Sequence, residues 1–398
     1  MTAARTPIRC LIVVPVDLRR SAAGGIRAFV EGFIKFAPDD FDIEVVGVGR
    51  GQGGWQKMDL NGRAIRTLAI LQASPERRNP VVPLTLRFLL AIFRQRDVIA
   101  TEGRILQAHR PGLLLPFVRR NAPMIQFLHF DLGQIARGIG ENRWRLLPSL
   151  LQGLERITLP RAAAIVAVSE ATARDYARRH PHLADRISVI SNWVDDTVFF
   201  AQPDTQRKAR RTQLHGDLGA APGDHVALIV GRLELIKDPG LAIEAVTRVP
   251  LARPWHLVFV GDGSLRKALR QRAVDRGVES RVHFLGSLGR DEVAGLMNAA
   301  DVLIVPSRSE SGPTVAIEAL ACGLPVVGTR VGRLPDLIRT GENGWLAQIG
   351  SAEEIAAGLQ WAADVGDRHR DACIDSARPY HAHTVLGPLY ELHRRHAR

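Results

Sequence analysis

The sequence predicts an α/β protein of two Rossmann-like domains, each a parallel sheet flanked by helices. Three observations carry this expectation. Short apolar runs of strand length alternate with helical stretches along the whole chain, which is the pattern of βαβ units. With 46% apolar residues over 398 positions, the chain can fill two cores of ordinary size. A polar stretch at 201–224, rich in Gln, Asp, Arg, Gly and Pro, separates the runs into two halves.

Taken in order, the first half opens with a strand at 8–16, a helix at 28–36 and a strand at 43–48. Further strands are expected near 98–100, 124–128, 164–168 and 187–190. In the second half they fall at 226–230, 256–260, 282–284, 302–305 and 325–328. The last stretch reads as a basic helix with Tyr380, Leu389, Tyr390 and Leu392 as its apolar contacts. The domains are therefore drawn as 1–195 and 196–378, with 379–398 packing back on the first.

Charge narrows the partners. Lys and Arg number 53 against 41 acids, and the net +12 favours phosphates, nucleic acid or an anionic membrane face. A nucleic-acid-binding module is disfavoured, because aromatics make up only 6% and are not interleaved with Lys/Arg runs. No apolar run reaches the roughly 18 residues of a spanning helix. The stretch near Ile8 carries Arg9 and runs into Asp17, Arg19 and Arg20 without a small-residue cleavage site, so a cytoplasmic location is expected. Cys10, Cys322 and Cys373 are too scattered for a zinc site or a disulfide framework and read as buried apolar residues.

The segment 301–329 is the most informative for chemistry. A strand leads through a polar loop at 306–312, ending at Gly312, into a helix at 313–321 with Pro313 in its first position and Gly323 past its end. In an open α/β sheet such a loop lies at the carboxyl edge, where ligands bind. The free N–H groups of Thr314 and Val315 would face a phosphate at the positive end of the helix. Glu310 lies in the loop, and Glu318 lies one turn into the helix, where a carboxylate can accept hydrogen bonds from ribose hydroxyls. After the strand at 226–230 come Gly231, Arg232 and Lys237, cations suited to a departing diphosphate. Lys237 is one of only five lysines. Gly261-Asp262-Gly263 follows the next strand and lets a ligand approach the backbone. In the first half, Gly24 and Gly25 precede a helix and leave amides free for phosphate, and His129 ends a strand at the sheet edge.

These pieces, with Ser191-Asn192-Trp193-Val194-Asp195 at the junction, His129 before Asp131, and Glu310-x7-Glu318, occur in an order that resembles glycosyltransferase family four. Its members are retaining, nucleotide-sugar-dependent enzymes of the GT-B fold, two Rossmann-like domains with parallel sheets facing a central cleft. The resemblance spans most of the chain and is weakest over 50–120; Trp193 stands where a Gly is common. It implies that Arg232 and Lys237 hold the nucleotide diphosphate, Glu318 the ribose, Glu310 and His129 the transferred sugar, and Gly25 the phosphate.

Other motifs compete. Gly49-x-Gly51-x-x-Gly54 matches a dinucleotide fingerprint, but the polar run 55–61 that follows is not a helix, so a flexible loop or acceptor lid is expected. Asp40-Phe41-Asp42 resembles a metal-binding acidic pair and reads as a turn before the strand at 43–48. His393-x-x-His396 reads as a solvated helix face, since two further metal ligands are missing.

The expected function is hexose transfer from a nucleotide diphosphate sugar to a hydroxyl of a lipid-linked or oligosaccharide acceptor, in cell-surface polysaccharide or glycolipid synthesis. Neither cofactor nor metal is expected. The alternative enzyme is a GT-B sugar-nucleotide epimerase. An apolar helix at 84–93, framed by Arg77, Arg78, Arg94 and Arg96 with Arg104, Arg110, Arg119 and Arg120 beyond, is a candidate for peripheral contact with an anionic inner membrane face.

Overall fold

The computed structural model describes residues 7–19, 25–49, 54–72, 84–129, 148–249, 253–310 and 312–397. Arg20, Gly24, Gly51, Arg77, Arg78 and Asp131, singled out in the sequence, lie outside these residues. The chain forms two compact units, Met1–Asn192 with His383–Arg398, and Trp193–Ala382. No described helix is long and apolar enough to cross a membrane.

The first unit carries an eight-stranded sheet. Its strands are β1 (Ile8–Val13), β2 (Phe41–Val48), β3 (Gln56–Leu60), β4 (Arg63–Leu71), β5 (Arg104–Ala108), β6 (Met124–Leu128), β7 (Ala164–Ala167) and β8 (Ile187–Val189), in the order β3-β4-β2-β1-β5-β6-β7-β8. All neighbours are parallel except β3 and β4. The described α-helices of its N-terminal part are α1 (Gly25–Lys35), α2 (Leu84–Gln95), α3 (Pro148–Thr158) and α4 (Glu170–Arg179).

Four sequence expectations change here. Residues 98–100 are not a strand; the chain turns there, and the strand is β5. Its polar residues concealed it: Arg104 is buried because Glu44 on β2 meets its Nε at 2.5 Å, and Gln107 is fully buried. The run 55–61 is not a lid. It contains β3, which hairpins onto β4 through Asn61 and Gly62, both left-handed at φ 55° and 82°, and it is polar because it is an exposed sheet edge. Arg104, engaged with Glu44, is unavailable to a membrane surface. His393 is not on a solvated face; it is fully buried. It lies on α13 (Ala382–His396), whose Tyr390 hydroxyl donates to the Phe33 carbonyl at 2.8 Å and whose Arg394 grips Asp40 at 2.8 and 3.0 Å. Asp40 thus closes the turn before β2, while Phe41 and Asp42 begin the strand.

The second unit is a six-stranded parallel sheet in the order β11-β10-β9-β12-β13-β14. The strands are β9 (His225–Val230), β10 (Trp255–Val260), β11 (Val282–Gly286), β12 (Val302–Val305), β13 (Val326–Thr329) and β14 (Gly344–Ala347). Leu228, Val258 and Leu303 feed one core cluster and Ile229, Phe259 and Ile304 the other, so alternate residues serve opposite faces and the runs are apolar throughout. The helices are α5 (Asp204–Leu218), α6 (Gly240–Val246), α7 (Arg266–Asp275), α8 (Arg290–Ala299), α9 (Thr314–Ala321), α10 (Leu334–Leu337), α11 (Ala352–Val365) and α12 (Arg370–Ala377). The polar stretch at 201–224 is thus largely the helix α5. Its inner face hid from the pattern because it buries Arg207, which chelates Asp367 at 2.8 and 2.5 Å.

Candidate functional site

The parallel sheet of the second unit brings three distant segments together at the carboxyl ends of β9, β12 and β13. After β9, Gly231 and Arg232 lead into a turn ending at Lys237. After β12, the loop carries Ser307, Arg308 and Glu310. The Lys237 ammonium pairs with the Glu310 carboxylate, and the Ser307 hydroxyl donates to the same carboxylate oxygen at 2.8 Å. Glu310 is 10% exposed and Lys237 33%, so the carboxylate is set from within while part of the ammonium faces solvent. Arg308 stitches the two loops, its N–H donating to the Ile236 carbonyl at 2.9 Å and its guanidinium to Asp238 at 2.8 Å. Arg232 is largely exposed and meets Glu234 at 2.7 Å.

β13 supplies the backing. The Thr329 hydroxyl donates to the Ser307 carbonyl at 2.6 Å. Three residues past the strand, Gly332 holds φ 54°, and a Cβ there would lie 1.9 Å from the Glu310 carbonyl oxygen. Only glycine allows that approach. On the other flank, a Cβ on Gly261 would fall 2.1 Å from the Gly231 carbonyl oxygen, so the loops after β9 and β10 pack backbone to backbone.

α9 starts at Thr314, with Pro313 in the cap position rather than inside the helix as expected. Its first N–H groups, those of Thr314 and Val315, have no acceptor among the described residues, and Gly312 precedes them in the same loop. One turn on, the half-buried Glu318 carboxylate takes no hydrogen bond from a described residue. Burial, opposed by Arg290 and reinforced by the Asp195 carboxylate, pushes it up to about 7. Arg290 itself reaches Asp195 at 3.2 Å. The site therefore offers two cations, a helix start and a carboxylate that changes charge near neutrality, an arrangement suited to a diphosphate and its attached ribose.

In the first unit, Gly25 opens α1 at an exposed position where a Cβ would touch nothing, so packing does not require glycine there. His129 follows β6. Its Nε2 lies 2.9 Å from Nδ1 of His109, and the edge of Phe29 packs on both rings. Burial, reinforced by Arg110, lowers His129 to about 3, so the ring is neutral at physiological pH and acts as a hydrogen-bonding group rather than a cation.

The sequence-predicted residues Arg232, Lys237, Glu310, Gly312, Thr314, Val315 and Glu318 all belong to the second unit, and Gly25 and His129 to the first. Sequence reasoning missed Ser307, Arg308, Thr329 and Gly332. Ser307 was the one legible clue, a polar residue directly after the apolar strand and three positions before Glu310.

Residues 210–379 match the family described as glycosyl transferases group 1, and residues 23–198 the family described as glycosyltransferase family 4. The D-inositol 3-phosphate glycosyltransferase of Jonesia denitrificans is 30% identical over 278 residues, 66% of this chain and 63% of that protein. The N-acetyl-alpha-D-glucosaminyl L-malate synthase of Bacillus anthracis is 27% identical over 235 residues, 57% of this chain and 59% of that protein. The chain thus spans less than two thirds of the length of these relatives. Sucrose-phosphate synthase from Thermosynechococcus elongatus superposes with a TM-score of 0.78 at 20% identity, covering 97% of this chain and 98% of that one. Anabaena HepE in complex with UDP and glucose gives 0.70 at 19% identity, covering 96% and 98%. With the two parallel-sheet units, these superpositions identify the GT-B fold.

Proposed function

Because this chain belongs to glycosyltransferase family four, we propose that it moves a hexose from a nucleotide diphosphate sugar to a hydroxyl acceptor, with retention at the anomeric carbon. The observation that carries this reading is the joining of Lys237, Glu310 and Ser307 across adjacent strand ends, in the loop that leads to the start of α9. Arg232, Lys237 and the N–H groups of Thr314 and Val315 stabilise the diphosphate as its charge grows on departure, in place of a divalent ion. Glu318 accepts from the ribose. On the second unit Glu310 is assigned to the transferred sugar; on the first, His129 offers a hydrogen bond to a sugar hydroxyl and Gly25 leaves room for phosphate.

Glu310 is engaged by Lys237 and Ser307, so it is held as a polar contact rather than offered as a covalent nucleophile. We therefore place acceptor attack on the face that the leaving group vacates. The first unit takes the acceptor, a lipid-linked or oligosaccharide hydroxyl, in polysaccharide or glycolipid synthesis. Leu90 and Phe93, 48% and 37% exposed on α2 beside the exposed Arg94 and Arg96, support peripheral attachment to the anionic inner face of the membrane.

A panel of nucleotide sugars, incubated with the full chain in excess chelator, tests the reading. One donor should raise the melting temperature and release nucleoside diphosphate when acceptor is present, with the donor's anomeric configuration kept in the product. Turnover that needs manganese or magnesium, or an inverted product, would overturn the metal-free or the retaining part respectively.

A further inference from the structure

A chain of buried polar groups runs behind His129, from the C-terminal helix through the centre of the first sheet. His393 Nδ1 lies 2.8 Å from the Leu389 carbonyl oxygen, and its Nε2 lies 2.8 Å from the Gln107 carboxamide. The other end of that carboxamide is 2.8 Å from Nε2 of His109, whose Nδ1 is 2.9 Å from Nε2 of His129. Gln107, His109 and His393 are each at most 1% exposed, and burial holds all three histidines below their usual range, so each ring carries one proton.

One proton arrangement satisfies every group. A carbonyl only accepts, so His393 must donate from Nδ1 to Leu389, which leaves its Nε2 as an acceptor. The Gln107 carboxamide must then turn its NH2 toward His393, and the second hydrogen of that NH2 faces the Cys10 sulfur, 3.7 Å from the carboxamide. The carboxamide oxygen accordingly faces His109 and accepts from its Nε2–H. His109 Nδ1 is left as an acceptor for the Nε2–H of His129. The opposite carboxamide orientation would set two acceptors together at His393 and leave an amide hydrogen unmet, each costing about 1–3 kcal/mol.

We propose that His393, Gln107 and His109 are positioning residues that fix His129 as its Nε2–H tautomer, leaving Nδ1 as its hydrogen-bond acceptor. That this acceptor receives a sugar hydroxyl rests on the transfer reaction proposed above; the relay itself does not. It gives α13 a part in the chemistry of the first unit that its distance in sequence conceals.

Ring-nitrogen NMR of the full chain, labelled with 15N-histidine, reads the tautomer directly, with the signals assigned from variants at positions 109, 129 and 393. At pH 7 the wild type should show His129 protonated at Nε2 and bare at Nδ1. His393→Phe keeps ring packing against Phe33 and Phe41, whose centroids lie 5.1 and 6.1 Å from the His393 ring, but deletes the acceptor that orients Gln107. Gln107→Met cuts the relay outright. Either variant should spread His129 over both tautomers, and turnover should fall at least about twofold as the competent fraction halves. Wild-type His129 protonated at Nδ1, or already mixed, overturns the proposal even if neither variant folds. A single unchanged tautomer in both variants also overturns it. A correct tautomer in a chain that transfers no sugar would leave the relay standing and remove the proposed reaction.

Discussion

Replacing Gly332 with Ala should displace the Glu310 loop, the proposed donor site, while leaving the fold standing. Gly332 sits at φ 54°, and a Cβ there would lie 1.9 Å from the Glu310 carbonyl oxygen and 2.7 Å from its carbon. Carbon and oxygen approach no closer than about 3.3 Å, so one of the two backbones must retreat by roughly 1.4 Å. Left-handed backbone costs alanine about 1–2 kcal/mol, and the retreat carries Glu310 away from Lys237. A misplacement of about 1 Å at a reacting centre can cost about 10²-fold, so turnover should fall by that order with a stability loss of only about 1–3 kcal/mol. Gly341 provides the control, because it is also left-handed, at φ 89°, but has nothing within 4 Å of its Cβ direction. Gly341→Ala should lose about 1–2 kcal/mol and keep its turnover. The assay pairs nucleoside diphosphate release with urea unfolding of the same preparations. Wild-type turnover in Gly332→Ala, or an equal loss in Gly341→Ala, would refute the argument.

Four further outcomes follow from the same geometry. Arg232→Ala and Lys237→Ala should each lower turnover by about 10²; wild-type rates in both would remove the cations from the reaction. Glu318 titrates near 7, and in the proposed donor complex ribose hydroxyls would donate to its ionised form, so donor affinity should rise about tenfold from pH 6 to pH 8 and become flat in Glu318→Gln. Because its folded value lies above the ordinary 4.5, the native state holds the extra proton and stability falls as pH rises from about 4.5 to 7, a slope that Glu318→Gln should lose. Leu90→Ser with Phe93→Ser should abolish flotation on anionic vesicles at low salt; flotation unchanged by the pair would move any membrane contact elsewhere.

The loop after β12 was legible because its parts are local. Strand, polar loop, helix start and both glutamates fall within 302–321, and the contrast between apolar strand and polar loop marks the sheet edge. β5 and α5 were not legible, because each buries an arginine whose partner is far away in sequence, Glu44 for Arg104 and Asp367 for Arg207. A local pattern prices such residues as exposed. His393 misled for the same reason, since its partner Gln107 lies 286 positions away. Gly332 and Thr329 act on the backbone of the Glu310 loop, a contact that no spacing rule encodes.

The central claim is that the second unit holds the diphosphate of a nucleotide sugar on side chains and a helix terminus. Calorimetric titration of UDP, ADP and GDP into the full chain, in excess chelator, tests it most directly. At least one should bind, and Arg232→Ala or Lys237→Ala should weaken that binding about 10- to 100-fold, the worth of one charge-assisted hydrogen bond. Binding by none of the three, or equal binding by the wild type and both variants, would contradict it.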